Sequence, residues 1–186
     1  VALAVEGWKG YFPLAHPGGG NFDEKVFTRQ LKKILDLPCD KIFHNAIYDV
    51  GWLSTMGLEV KGRIVDTMIA APLVDENKRN YSLKEIAQEY IGETKSEAGL
   101  YEAAKDFGVD AKAEMHLLPA MYVGPYAEQD ATVTLKLWQT LKVELLKQEL
   151  TSVFNLETEL LPMLFQMKKR GVRVDINKAE RVKEDF

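Results

Sequence analysis

The chain has 186 residues, of which 46% are hydrophobic and 28% charged, an ordinary globular composition that excludes disordered and collagen-like classes and leaves room for a substantial core. No apolar run reaches the roughly 18 residues of a membrane span, no signal segment opens the chain, and a single cysteine, Cys39, provides neither a disulfide framework nor a cysteine-based zinc site. A net charge of −4 and a pI near 5.5 argue against broad phosphate neutralisation on duplex nucleic acid but leave room for an acidic cleft that takes a few nucleotides. These features point to a soluble, cytoplasmic protein in which Cys39 is a minor packing residue.

Val1–Val5 and Trp8–Leu14 read as two antiparallel strands joined through Glu6-Gly7. His16-Pro17-Gly18-Gly19-Gly20 reads as a flexible loop, since no P-loop lysine or GxGxxG frame accompanies the glycines. Apolar residues at Val26, Phe27, Leu31, Ile34 and Leu35 recur near a 3.6 period, so a helix is expected from Asp23 to Leu35 with Asn21 or Asp23 as its cap. Lys41–His44 follows as a short strand. Ile47–Met56 is the next helix, closed by Gly57.

Arg63–Val65 is a further strand and Thr67–Leu73 a helix capped by Asp66, while Ser82–Ile91 opens on the capping-box pattern Ser82/Glu85. Leu100–Phe107 and Glu114–Met121 are expected as short helices. The longest helix is expected from Pro125, in its first turn, to Leu150, followed by Thr151–Arg170 despite Pro162. A last helical pattern follows Asp175 and runs through Arg181–Phe186. Val1 stands inside an apolar run and Phe186 inside that helical pattern, so both ends are expected to be cut ends of a longer chain. Trp8, Trp52 and Trp138 are expected in core or subdomain contacts, and Met115, His116 and Met121 in helix packing. His16 and Lys78-Arg79 read as loop residues.

Two acidic motifs stand out. His44-Asn45-Ala46-Ile47-Tyr48-Asp49 contains Asn-x-x-Tyr-Asp and places Asp49 at a strand-to-helix transition, a usual position for active-site groups in α/β proteins. Tyr126-Ala127-Glu128-Gln129-Asp130 contains Tyr-x-x-x-Asp, and a spacing of four on a helix sets Tyr126 and Asp130 on one face. Each motif alone is weak, because an Asp after a strand can simply cap a helix, and a Tyr and Asp at helical spacing are common.

In combination and in this order, the motifs resemble the 3′–5′ exonucleases of the DEDD superfamily, tyrosine subgroup, and in particular the proofreading domain of family-A DNA polymerases. The resemblance extends over the opening strand pair, Arg63–Met68, Ser82-Leu83 and Tyr126–Leu137. It continues into Glu159-Leu160-Leu161-Pro162 and Gly171–Asp175, similar to the entry of a polymerase domain. It implies a ribonuclease-H-like α/β fold, a mixed sheet with flanking helices, with an exonuclease domain over residues 1–150 and the beginning of a polymerase domain over 151–186.

By the same resemblance Asp49 and Asp130 would be ligands of two divalent ions, Mg²⁺ or Mn²⁺, and Asp49, Tyr126 and Asp130 the catalytic set, with Tyr126 orienting the attacking water. Asn45 and Tyr48 would contact a single-stranded or frayed 3′ end of DNA, and His44 is read as a neighbour of Asn45 or simply a strand-end side chain. The polymerase domain of the same chain would be the partner, and no membrane is involved. The family's Asp-x-Glu pair is absent from the chain. It is expected on a first strand preceding Val1, so the fragment itself is expected to be inactive. The alternatives are a catalytically inactive exonuclease-like support module and an RNA-trimming exonuclease of the same superfamily.

Overall fold

The computed structural model describes residues 1–93 and 97–184; residues 185 and 186, the end of the helical pattern after Asp175, lie outside the described residues. In chain order the elements are β1 (Ala2–Val5), β2 (Trp8–Tyr11), α1 (Glu24–Leu35), β3 (Lys41–Phe43), α2 (Ala46–Thr55), β4 (Ile64–Asp66), α3 (Thr67–Val74), α4 (Leu83–Ile91) and α5 (Ala98–Phe107). A 3₁₀ turn at Met115–Leu117 leads into α6 (Ala120–Lys147), α7 (Thr151–Arg170) and α8 (Ile176–Glu184). No described helix is long and apolar enough to cross a membrane.

The α/β class stands, with both strand orientations present. Among the described residues the strands form two separate pairs: β1 against β2, antiparallel, with Ala2 opposite Tyr11, and β3 against β4, parallel, with Ile42 opposite Val65. Helix α6 packs against both, touching β1, β2 and β3 as well as α3, α4 and α5. Two-stranded sheets have little stability of their own, so this shared helix is what turns them into one body.

The cores follow from that arrangement. Val65, Ile86, Leu137, Trp138, Leu141 and Phe154 form one buried cluster between β4, α3, α4, α6 and α7. Phe27, Leu31, Leu35, Leu53 and Leu58 form a second, under α1 and α2. A third gathers Leu100, Ala103, Ala104, Leu118 and Val123 where α5 meets the start of α6.

Local chemistry explains most boundaries. The Asp23 carboxylate accepts the Val26 N–H at 2.8 Å and starts α1, and the Ser82 hydroxyl accepts the Glu85 N–H and starts α4. Gly57 follows α2 at φ 73°, a conformation that costs other residues about 1–2 kcal/mol.

Several expectations are corrected. Glu114–Met121 is not a helix: a 3₁₀ turn ends at Leu117, Leu118 is extended, and Pro119 caps α6. Helix α6 starts at Ala120, so Pro125 lies inside it rather than in its first turn. Continuing the helix through Pro125 gives up one backbone hydrogen bond but buries Val123 and Gly124, and the bare Cα of Gly124 lets the Tyr11 ring approach to the distance at which a methyl would already be tight. Trp138 is buried at 6% exposure, but Trp8 and Trp52 are 51% and 60% exposed. Trp8 lies over Gly10 on its own hairpin, and α2 turns Trp52 away from the core that Leu53 enters. Cys39, His116 and Met121 are exposed as well: His116 lies on the 3₁₀ turn, and Met121 in the first turn of α6 points away from the cluster that Leu118 and Val123 enter.

His16 is more than a loop residue. Its Nδ1–H donates to the Leu118 carbonyl at 2.7 Å and its Nε2 meets the Tyr11 hydroxyl at 2.5 Å, which pins the glycine-rich loop to the start of α6. Lys78 is held in ion pairs with Asp75 and Glu89 and so closes the loop between α3 and α4.

Candidate active site

Strand β3 delivers the first motif. After Phe43 the chain turns sharply at Asn45, which takes the left-handed conformation at φ 70°, an arrangement that Asn tolerates better than most residues. That turn aims two successive N–H groups, those of Asn45 and Ala46, at the carboxylate of Asp66, at 2.9 and 2.7 Å. The same carboxylate accepts the Met68 N–H at 2.9 Å and thereby caps α3, the role read for it in the sequence. Asp66 is 4% exposed, and charge-assisted bonds to three amides satisfy it.

His44 belongs to the same knot. The Thr67 hydroxyl donates to the Phe43 carbonyl at 3.1 Å, so it accepts the Nδ1–H of His44 at 2.9 Å, and this fixes the side chain at the end of β3.

Asp49 lies in the first turn of α2, half-buried. Burial pushes its carboxyl up to about 6, with the negative charge of nearby Asp66 adding to the effect. The helix N-terminus is favourable for an anion but does not offset this. Asp49 is therefore a carboxylate whose ionised form the protein alone stabilises poorly, and a cation placed beside it would reverse that.

Asn45 and Tyr48 are exposed, as contacts for a ligand need to be. Tyr126 and Asp130 lie one turn apart on α6, both half-buried, with Asp130 Oδ1 shielded from solvent and Tyr126 packed against the third core cluster. Glu128, between them, accepts the Tyr11 N–H at 3.1 Å and lies 3.7 Å from the Lys9 ammonium, which ties β2 to this stretch of α6. The structure thus gathers Asn45, Asp49 and Asp66 around the β3–α2 turn, while Tyr126 and Asp130 stand on the helix that packs across β3. The sequence did not reveal that Asp66 binds the start of α2 across twenty residues; only the Val-Asp-Thr pattern of a helix cap was visible there.

The oxygen donors Asp49 and Asp130 suit a hard divalent cation. Their number does not suffice: among the described residues no three His, Cys, Asp or Glu side chains converge to hold an ion. The residues present fit part of such a centre and not a whole one.

An α/β body with a carboxylate at a strand-to-helix turn and a second acidic motif on the helix crossing the sheets has the layout expected of a nuclease-type domain, and its similarity to known proteins decides the family. The chain belongs to the 3′-5′ exonuclease family of DNA polymerase A, whose profile matches residues 20–146 and so spans both motifs. It is 36% identical over 186 residues to a DNA-directed DNA polymerase of Pseudomonas phage M6, covering 98% of this chain and 28% of that protein. It is 33% identical to a DNA polymerase I of Rhizobium leguminosarum and 30% identical to one of Pseudomonas aeruginosa, covering 89% and 95% of this chain but 17% and 20% of those proteins. The chain therefore spans less than a third of the length of these curated relatives. A solved structure described as the apo form of a nuclease shares the fold, with a TM-score of 0.59 at 24% identity over 76% of this chain and 64% of that one.

Proposed function

We propose that this chain is the 3′–5′ exonuclease portion of a DNA polymerase and that it contributes to hydrolytic removal of nucleotides from a single-stranded or frayed 3′ end. The observation that carries the reading is Asp49: a half-buried carboxylate at the β3–α2 turn, held up by burial and by Asp66 beside it, inside a segment that matches the exonuclease family. Asp49 and Asp130 are the proposed ligands of Mg²⁺ or Mn²⁺, which when bound would activate water and neutralise charge on the leaving oxygen. An Asp-x-Glu pair on a strand outside these residues would complete the donor set.

The chain's own groups then have defined tasks. Asn45 and Tyr48, exposed at the head of α2, bind the last nucleotides, and the Asp66 carboxylate holds the turn that presents them. Tyr126 orients the attacking water from α6, one turn before Asp130. Residues 1–150 are proposed as the exonuclease unit and 151–186 as the lead-in to a polymerase domain, which is the proposed partner in the same chain. The relatives' names support DNA as the substrate.

The incomplete donor set favours one second reading, a support module without nuclease activity. The test is degradation of a 3′-labelled single-stranded DNA with Mg²⁺ or Mn²⁺ by this chain and by a version extended upstream by its natural residues. Activity in the extended protein that is lost in Asp130→Ala supports the exonuclease reading. Inactivity of both proteins supports the module.

A further inference from the structure

Helix α2 has an outward face on which the nuclease reading gives a task to Tyr48 and none to Trp52. Its inner face is accounted for by Ala46 and Leu53, both buried, and another side, with Ile47, Val50 and Ser54, turns toward α7. Tyr48 and Trp52, four residues apart and so on one stripe of the helix, are 58% and 60% exposed. Their rings lie 6.3 Å apart at 69°, an edge-to-face contact, and more than half of each side chain remains exposed to solvent. The other exposed tryptophan, Trp8, differs: its ring covers Gly10 and stands 6.3 Å from Phe12.

We propose that Trp52, together with Tyr48, is a stacking platform for a base of the single strand whose 3′ end lies at Asp49. Position argues for it, since Trp52 follows Asp49 by three residues and Tyr48 by four on the same helix and so neighbours both, within reach of a strand that ends at Asp49. Electrostatics argues for it too. The chain carries a net charge of −4, and the turn beside Tyr48 holds both Asp49 and Asp66, so phosphate attraction is a poor source of affinity here. Stacking on aromatic faces supplies affinity without cations and accepts any base. The platform holds the strand and leaves the chemistry to other groups, so Trp52 is a positioning residue.

This inference rests on the exonuclease reading, and the experiment separates the two. Fluorescence anisotropy of a labelled oligo(dT) and of an abasic strand of equal length is measured in Ca²⁺ with this chain, Trp52→Ala and Trp52→Phe. The expected result is that Trp52→Ala weakens oligo(dT) binding by about tenfold, changes abasic binding little, and is largely rescued by Trp52→Phe, with the salt dependence unchanged. Equal affinity of the native chain and Trp52→Ala for oligo(dT), or equal losses on both strands, overturns the platform while leaving the exonuclease reading in place. Failure of the native chain to bind either strand also overturns the platform, while the exonuclease reading stands or falls with the activity of the upstream-extended protein. Trp52 is exposed, so unaltered thermal melting of the alanine variant is expected and serves as the folding control.

Discussion

The carboxylate of Asp66 accepts the backbone N–H of Ala46 at 2.7 Å, so the last residue of β4 holds the first turn of α2. Because Asp66 also binds Asn45 and Met68, one buried side chain sets the direction in which two helices leave two parallel strands. The turn that carries the candidate site is therefore fixed from beneath.

Asp66→Ala leaves three amides to find other partners, two of them from the site turn. A loss of about 2–4 kcal/mol is expected, combining a lost cap with buried donors left unsatisfied. Urea unfolding measures it, and a loss under 1 kcal/mol contradicts the three-amide role.

Asp49 makes stability depend on pH in a specific direction. Its folded value of about 6 lies above the ordinary 3.8, so between these values the native chain keeps a proton that the unfolded chain releases. The native state is then penalised as pH rises through 6, and the penalty is absent below about pH 4. In chelator, Asp49→Asn is expected to stabilise the chain by about 1–3 kcal/mol at pH 7.5 and to change little at pH 4. Melting temperatures at the two pH values check this, and a stabilisation that persists at pH 4 rules out titration of Asp49 as its cause.

Phe154, 2% exposed, lies with its ring 5.2 Å from that of Trp138, so α7 shares the core of the preceding helices. Phe154→Ala should cost about 3–5 kcal/mol. A variant ending at Leu150 should then melt well below the full chain even if the proposed domain boundary at 150 is correct. Equal melting temperatures would place α7 outside the cooperative unit.

Gly62 has φ 81°, and a β-carbon there would overlap the Cys39 carbonyl oxygen and crowd Pro38. Gly57, at φ 73°, has open space around it. Gly62→Ala should therefore cost about 2–4 kcal/mol, and Gly57→Ala about 1 kcal/mol, the left-handed penalty alone. Parallel denaturant titrations of the two variants test the difference.

Much of this structure was legible from local signals. The caps at Asp23, Asp66 and Ser82 and the apolar period of α1 act within one or two turns, and there sequence pattern and structure agree. Signals failed where the outcome depends on what lies across the fold. Helix α6 begins before Pro125 because Gly124 packs against Tyr11, a contact spanning more than a hundred residues. The sequence does not place Trp52, because α2 carries apolar residues on several sides and its period does not mark which face meets the core. At the candidate site, the motif residues were visible as letters, but the hold of Asp66 on Asn45 and Ala46 is tertiary.

Because β1–β2 and β3–β4 are joined through α6 and not, among the described residues, through each other, the two hairpin-sized sheets have no independent route to persistence. Release of α6 is then expected to expose the amide protons of Leu3 and Ile42 to exchange, so their protection should fall with that of Leu137 and Leu141. The helix that carries Tyr126 and Asp130 thereby also braces the strands that carry the other motif, and a loosening of α6 would be felt in both halves of the candidate site.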